Sequence, residues 1–433
     1  MLTNPVLVSV SVLCLLCLLK LNVLFSMLIA ALIAAVMGHI PIPQAMELFT
    51  AGFRVNANSA LADLLLGAFA SSIAYTGLSG LFAQRLSGAV GGRRIFLLMG
   101  LAGAACLSQN LIPVHIAFIP IMIPPLLKLM DRAKIDRRAA SCALLFGLKA
   151  PCIMIPFGFG GIFVRLLADN LTANGLPVEA SDITRCGWML GASMLAGLLA
   201  AVFVTYRRPR EYEARAAAIP EPRAESNQDP KAFAVAGLAI AAVLAVQIVI
   251  NDLSISALCG LIVLFGFGAV RREDIEDQFA NGMRMMGMIV FIMLAAGGYA
   301  EVLKAAGGVR ELSEAVAGLI GDSRLAAAVV INLIGFLVTV GIGSSFSAIP
   351  VVTVLYVPLC QQMNFSKSAV IALISAAVLF GGIASPASDT TLGSTAGLNA
   401  DGQHDHIRDT CIPAFFHLSL PLMLFSVLLS QII

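Results

Sequence analysis

Two apolar stretches of this chain, residues 139–171 and 368–399, are each too long for one straight membrane crossing and carry Gly and Pro near the middle. About 20 apolar residues already span a bilayer core. Non-helical backbone at that depth is tolerated only where protein or a wet cavity satisfies the freed polar groups, so both stretches are expected to be broken helices. The interruptions match one another. Leu145-Phe146-Gly147-Leu148-Lys149-Ala150-Pro151 is answered by Leu379-Phe380-Gly381-Gly382-Ile383-Ala384-Ser385-Pro386, one residue longer. Phe49, Gly52 and Arg54 recur as Phe279, Gly282 and Arg284, and the run from Ser108 to Pro113 recurs as Ser345 to Pro350. Duplicated apolar halves broken at corresponding places point to a secondary transporter whose site lies between the repeats.

Composition agrees with a bilayer. Hydrophobic residues make up 59% and charged residues 12%, against roughly 25% charged in a soluble domain. A net charge of +2 gives no reason to expect nucleic acid. The nine cysteines include six within apolar runs, Cys14, Cys17, Cys106, Cys142, Cys152 and Cys259, and read as small buried hydrophobes. Cys14 and Cys17 lack the second pair a zinc site needs. The N-terminal stretch has no basic flank or clear cleavage site and is taken as a spanning helix.

Ten spans are expected, at 4–19, 22–38, 57–75, 139–171, 186–206, 232–250, 254–270, 285–303, 368–399 and 411–432. Two further apolar stretches, 95–127 and 325–363, are interrupted by Ser108-Gln109-Asn110 and by Ser344-Ser345-Phe346-Ser347. Each is either a re-entrant hairpin with a polar tip at mid-depth or a kinked spanning helix followed by an interfacial one; periodicity does not separate them. With hairpins, 19 of the 27 basic residues fall on one face and 7 on the other, Lys149 lying within the membrane. The basic face is cytoplasmic. The halves, residues 1–206 and 232–433, then have opposite orientations, joined by a cytoplasmic linker at 207–231 that reads as an exposed tether. The stretches 44–53 and 273–283 mix charge with apolar residues and suggest interfacial amphipathic helices. The fold class is therefore an all-α polytopic membrane protein of two inverted repeats.

Polar groups at mid-membrane are the site candidates, since a charge there costs at least about 2.5–3.5 kcal/mol. Ser385, Pro386, Ser388, Asp389, Thr390 and Thr391 supply hydroxyls, unwound carbonyls and one carboxylate, the oxygen ligands that Na+ takes. The competing reading has Asp389 capping the second half-helix while the threonines bond back to it. Lys149, flanked by Ala150 and Pro151, is a built-in cation, a partner for a substrate carboxylate, a neutral lysine gated by proton uptake, or a lysine that snorkels or pairs with Asp63. Asp63 and His115 are candidate proton carriers, although a lone histidine is commonly structural. The tips, with Ser108, Gln109, Asn110, Ser344, Ser345 and Ser347, bring helix termini to mid-membrane where they can hold a charged ligand. The run Asp401-Gly402-Gln403-His404-Asp405-His406 has metal-ligand residue types but no fixed motif, and reads as a solvated loop. No Walker loop, nucleophile elbow or H-E-x-x-H is present.

With these tips and the two Leu-Phe-Gly breaks, the whole chain resembles the ion transporter superfamily, and within it the Na+/H+ antiporter family in its NhaC-like and YuiF-like amino-acid transporter branch. Tips in that superfamily commonly read Ser-Asn-Thr; here Gln109 and Phe346 intervene. The resemblance implies a dimerising scaffold part, a mobile transport part, elevator-like alternating access and a homodimer. The expectation is a multi-pass transporter of the bacterial inner membrane that moves a small amino acid or related carboxylate with Na+ or H+ and needs no other cofactor. Its rivals are a Na+/H+ antiporter without organic substrate, and an ion-conducting pore, which the internal pseudo-symmetry disfavours.

Overall fold

The computed structural model describes residues 4–19, 21–78, 94–110, 118–213, 230–250, 252–307 and 323–433, and these are helical or connect helices. In the first half, α1 (Pro5–Leu18), α2 (Val23–Met37) and α3 (Ile42–Ala51) lead into α4 (Phe53–Tyr75). Then come α5 (Arg94–Asn110), α6 (Phe118–Arg132), α7 (Arg137–Met154), α8 (Gly158–Ala173) and α9 (Ala180–Thr205). The second half has α10 (Pro230–Ile250), α11 (Leu253–Gly266), α12 (Ile275–Ala305), α13 (Arg324–Ile342), α14 (Ser345–Gln362), α15 (Lys367–Ala384), α16 (Asp389–Leu398) and α17 (His406–Ile432). Polar residues set the starts: the side chains of Asn4, Asn22, Asp252, Ser323 and Ser366 accept backbone amides in the first turns of α1, α2, α11, α13 and α15.

Among the described residues seven helices are long and apolar enough to cross a membrane, and the bent pair α7 and α8 makes an eighth. The chain is a membrane protein. Three of the ten expected spans, α1, α2 and α11, are only 14, 15 and 14 residues long, about 21 Å at 1.5 Å per residue. Large side chains face outward where lipid would lie, among them Trp188, Val249, Ile262, Phe416 and Ile432. The stretch at 273–283 is not a separate interfacial helix: it is one 3₁₀ turn running into the 31-residue α12.

Both long stretches are broken, and the first break corrects the sequence reading. Helix α7 continues through Pro151 to Met154. It ends at Ile155, held extended at φ −118°, ψ 107° because the ring of Pro156 bars that residue from the helical region; the axis then bends by 52° into α8. Ser385 is extended in the same way, at φ −65°, ψ 135°, in front of Pro386. Pro156, rather than Pro151, is the counterpart of Pro386.

Helices α4 and α12 run antiparallel with their backbones in close contact. Asn56 donates to the Met293 carbonyl at 2.7 Å, Ser71 to Gln278 Oε1 at 2.8 Å and Tyr75 to Asp274 at 2.7 Å. A Cβ on Gly52 would lie 2.5 Å from the Gly297 carbonyl oxygen, and one on Gly67 would lie 2.9 Å from the Gly282 oxygen. The two contacts are reciprocal. Gly52 and Gly282 are equivalent positions, and Leu64-Leu65-Leu66-Gly67-Ala68-Phe69-Ala70 aligns with Leu294-Ala295-Ala296-Gly297-Gly298-Tyr299-Ala300, so the Gly52–Gly297 contact maps onto the Gly282–Gly67 contact when the halves are exchanged. A second match links α7 to α5 and α15 to α13: a Cβ on Gly147 would strike the Ala102 carbonyl oxygen, and one on Gly381 that of Thr339.

The two ends of α5 and α6 lie together. The Arg94 guanidinium donates to the carbonyls of Tyr206 and Arg207, while Lys134 pairs with Glu211 at 2.6 Å and its carbonyl accepts from Arg210 N. Likewise Arg324, starting α13, stacks 4.9 Å from the ring centre of Phe365, just beyond α14. The second meeting place is at the opposite end of α9, near Gly175 and Asp182, which bond Gln361 and Lys367. Residues 207–213 of the expected tether are thus docked, and residues 214–229 lie outside the described residues.

Candidate functional site

Lys149 is 5% exposed and reaches out of helical backbone, not out of the break, with Ala150 and Pro151 buried in the same helix. Its ammonium crosses to the second half. A Cβ on Gly382 would fall 2.5 Å from Lys149 Nζ and 2.6 Å from Cε, and would also strike Ser345 Oγ, so the lysine, the second tip and α15 converge where Gly382 has no side chain. Among the described residues no carboxylate pairs with Lys149, and in particular Asp63 does not. A nearly buried cation without a counter-ion is placed to take an anion.

Two orphaned polar atoms belong to the tips. Ser345 Oγ and Gln109 Oε1 are buried with no hydrogen-bond partner among the described residues. Gln109 sits in the last turn of α5 with Ser108, and its Nε2 donates to Cys152 Sγ at 3.1 Å; Cys152 is one turn beyond Lys149. At the second tip Gly343, with φ 71°, ends α13 in the left-handed conformation that suits glycine, and Ser344 leads into α14. Phe346 lies edge-on to Phe159 and Phe163 of α8 at 5.4 Å each, which binds the second tip to the first broken helix. His115 and the side chains of Asn110 and Ser347 lie outside the described residues.

The break at Ser385–Ser388 gathers oxygens. Ser388 Oγ donates to the Gly382 carbonyl at 3.0 Å, and Thr390 Oγ1 donates to the same oxygen. Thr391 Oγ1 donates to Ser385 O at 2.6 Å and Ser388 O at 2.9 Å, and Ser385 Oγ to Val340 O at 2.6 Å. Of the threonine back-bonds expected with capping, Thr391 makes one, to Ser388 O, whereas Thr390 reaches back across the break to α15. The Asp389 part of the capping expectation does not hold: the N-cap is Ser388, and Asp389 Oδ1 accepts from the adjacent Thr390 amide at 2.6 Å and from Ser388 Oγ at 3.2 Å. These hydroxyls and carbonyls now bond one another, and a bound Na+ would take over those oxygens. Asp63, the other acid expected within a span, is 5% exposed on α4.

The run from Asp401 to His406 is not a solvated loop. The fully buried Arg137 guanidinium pairs with Asp401 at 2.6 Å and Asp131 at 2.9 Å and donates to the Leu398 carbonyl. His404 bonds Thr410 at 2.7 Å, and His406 bonds Pro386 O at 2.9 Å and Thr395 at 2.7 Å. Burial, reinforced by the Arg137 charge, pushes His404 down to about 3 and keeps it neutral. Nothing in local spacing signals Arg137 or Gly382, although the extra glycine of the second break, set where the first has Leu148, was the clue to the room Lys149 needs.

Residues 143–427 match the model of the Na+/H+ antiporter family, and residues 4–90 a second Na+-H+ antiporter family model. The chain is 40% identical over 442 residues to a membrane protein of Haemophilus influenzae, covering 98% of each. It is 40% identical over 397 residues to YuiF of Bacillus subtilis, described as a candidate amino-acid transporter, covering 88% of this chain and 89% of that one. The solved YdaH transporter of Alcanivorax borkumensis aligns over 99% of this chain and 98% of its own, with 15% identity and a TM-score of 0.49.

Proposed function

Because this chain belongs to the Na+/H+ antiporter family, we propose that it is a cation-coupled secondary transporter of the bacterial inner membrane carrying a small amino acid or related carboxylate. One observation carries this reading: Lys149 places a nearly buried ammonium, unpaired among the described residues, beside the Ser345 hydroxyl, which like the Gln109 amide oxygen of the first tip is orphaned among the described residues. A substrate carboxylate would compensate the ammonium, and a donor on the substrate would satisfy the amide oxygen. The Asp389 cluster, one turn of α15 away through the Gly382 carbonyl, takes the coupling ion. The YuiF relative favours an amino acid.

The reciprocal glycine contacts of α4 and α12, and the two helix pairs whose ends meet at opposite ends of the molecule, support inverted repeats with a two-fold axis in the membrane plane. Elevator-like alternating access is the movement we assign to such an arrangement. A Na+/H+ antiporter without organic substrate is the second reading, favoured by the nearly buried Asp63 carboxylate on α4. Purified protein in liposomes separates them: Na+-stimulated uptake of labelled amino acids, lost in Lys149→Met, is expected. Proton release driven by Na+ with no organic substrate, and no uptake across an amino-acid panel, would establish the antiporter instead.

A further inference from the structure

Asp389 opens α16, and residues 389, 392 and 396 share one helical face. Leu392 and Ala396 of that face lie on an apolar cluster built from Ala60, Leu66 and Ala70 of α4 and Met286, Ile289, Val290 and Met293 of α12. The start of the face is therefore turned toward α4, where Asp63 stands on the same stretch of helix as Ala60 and Leu66. Asp63 is 5% exposed, and among the described residues its carboxylate meets no hydrogen-bond donor and no basic group. At the start of the α16 face that packs there, Asp389 has its Oδ1 engaged by Thr390 and Ser388, and its Oδ2 accepts no bond among the described residues.

We propose that Asp63 and Asp389 share the coupling cation: a carboxylate from α4 completes the oxygen cluster of the second break, and the ion sits between α16 and the α4/α12 pair. Two facing carboxylates at low dielectric repel strongly, and a hard monovalent cation with oxygen ligands converts that repulsion into a bridge. Lys149 does not serve this purpose, since its ammonium is directed to Ser345 and Gly382. The site is formed by two packed bodies. Sliding α16 along α4 would separate its halves, so the ion holds them together in one position and is released in another. The proposal rests on the cation-coupled reading above.

The test uses the whole chain with Na+ as probe, K+ keeping ionic strength constant. Asp63→Asn and Asp389→Asn should each raise the Na+ concentration for half-maximal transport by about tenfold or more. The double variant should be no worse than the worse single one, because both changes remove one shared site. In Na+-free buffer Asp63→Asn should melt at or above the wild type, and the Na+-induced rise in melting temperature should be absent from it. Asp63→Glu, which keeps the carboxylate, should retain that rise and guards against a folding defect. Wild-type Na+ dependence in Asp63→Asn, or multiplicative losses in the double variant, would overturn the shared site while leaving cation coupling intact. A wild type insensitive to Na+ in both transport and melting would overturn the coupling as well.

Discussion

Ser345 and Gly382 make the Lys149 site testable at single side chains. The Ser345 hydroxyl is buried without a partner among the described residues, a situation that costs about 1–3 kcal/mol. Ser345→Ala should therefore leave the melting temperature unchanged or raise it, while increasing the half-saturating substrate concentration about tenfold, the equivalent of 1.4 kcal/mol. Unchanged affinity would detach Ser345 from the substrate. Gly382→Ala drives a methyl group into the ammonium and should abolish uptake through displacement of Lys149. Lys149 itself was legible in the sequence, because a charge inside an apolar run is costly wherever it lies. Gly382 and Cys152 were not, since what makes them matter is a close approach of helices, from different halves at Gly382 and within the first half, to Gln109, at Cys152.

Helix breaks and helix contacts were legible to different degrees. Both long stretches break as their length demanded, yet the first break lies at Ile155–Pro156. The matching of Leu-Phe-Gly runs aligned Pro151 with Pro386 and hid the proline that does the breaking. Capping was readable at α1 and α2 because Asn4 and Asn22 precede apolar runs; Arg137 was not, since its partner Asp401 lies in the other half. The α4/α12 crossing gives a graded prediction. At Gly67 an added methyl meets the Met286 side chain at 2.6 Å and one backbone atom, the Gly282 oxygen, at 2.9 Å, whereas at Gly282 it meets backbone alone and closer, with Ala68 Cα and Gly67 C at 2.6 Å. Gly282→Ala should thus cost more than Gly67→Ala, within the roughly 1–3 kcal/mol typical of overpacking, as read from melting in detergent. Equal or reversed costs would show that the helices separate easily.

At the scale of the whole molecule, the count of basic residues placed residues 128–138, the start of the linker and residues 401–408 on one face, and the structure gathers them there. Arg210 reaches Asp409 at 3.2 Å and Asp136 at 3.7 Å, the Arg137 amide donates to Tyr212 at 3.0 Å, and the Glu213 amide donates to Gln403 at 2.8 Å. Charge was informative because it stays near water whatever the helices do. The docking of residues 207–213 was not, because it depends on partners from both halves. A chain crossing the bilayer an odd number of times between two labelled positions must present them to opposite sides, so single cysteines in a background without the nine native ones test the arrangement. Cysteines replacing Arg132, Glu211 and Gln403 should react with a membrane-impermeant maleimide from the cytoplasmic side, and those replacing Pro177 and Gln362 from outside. Cysteines replacing Arg94 and Arg324 complete the informative pairs, which flank the helices with tips. If residues 94 and 132 label from opposite sides, or 324 and 362 do, then α5 with α6, or α13 with α14, does not enter and leave on one face. Opposite orientation of the halves, and with it a site held between two inverted tips, would then be lost.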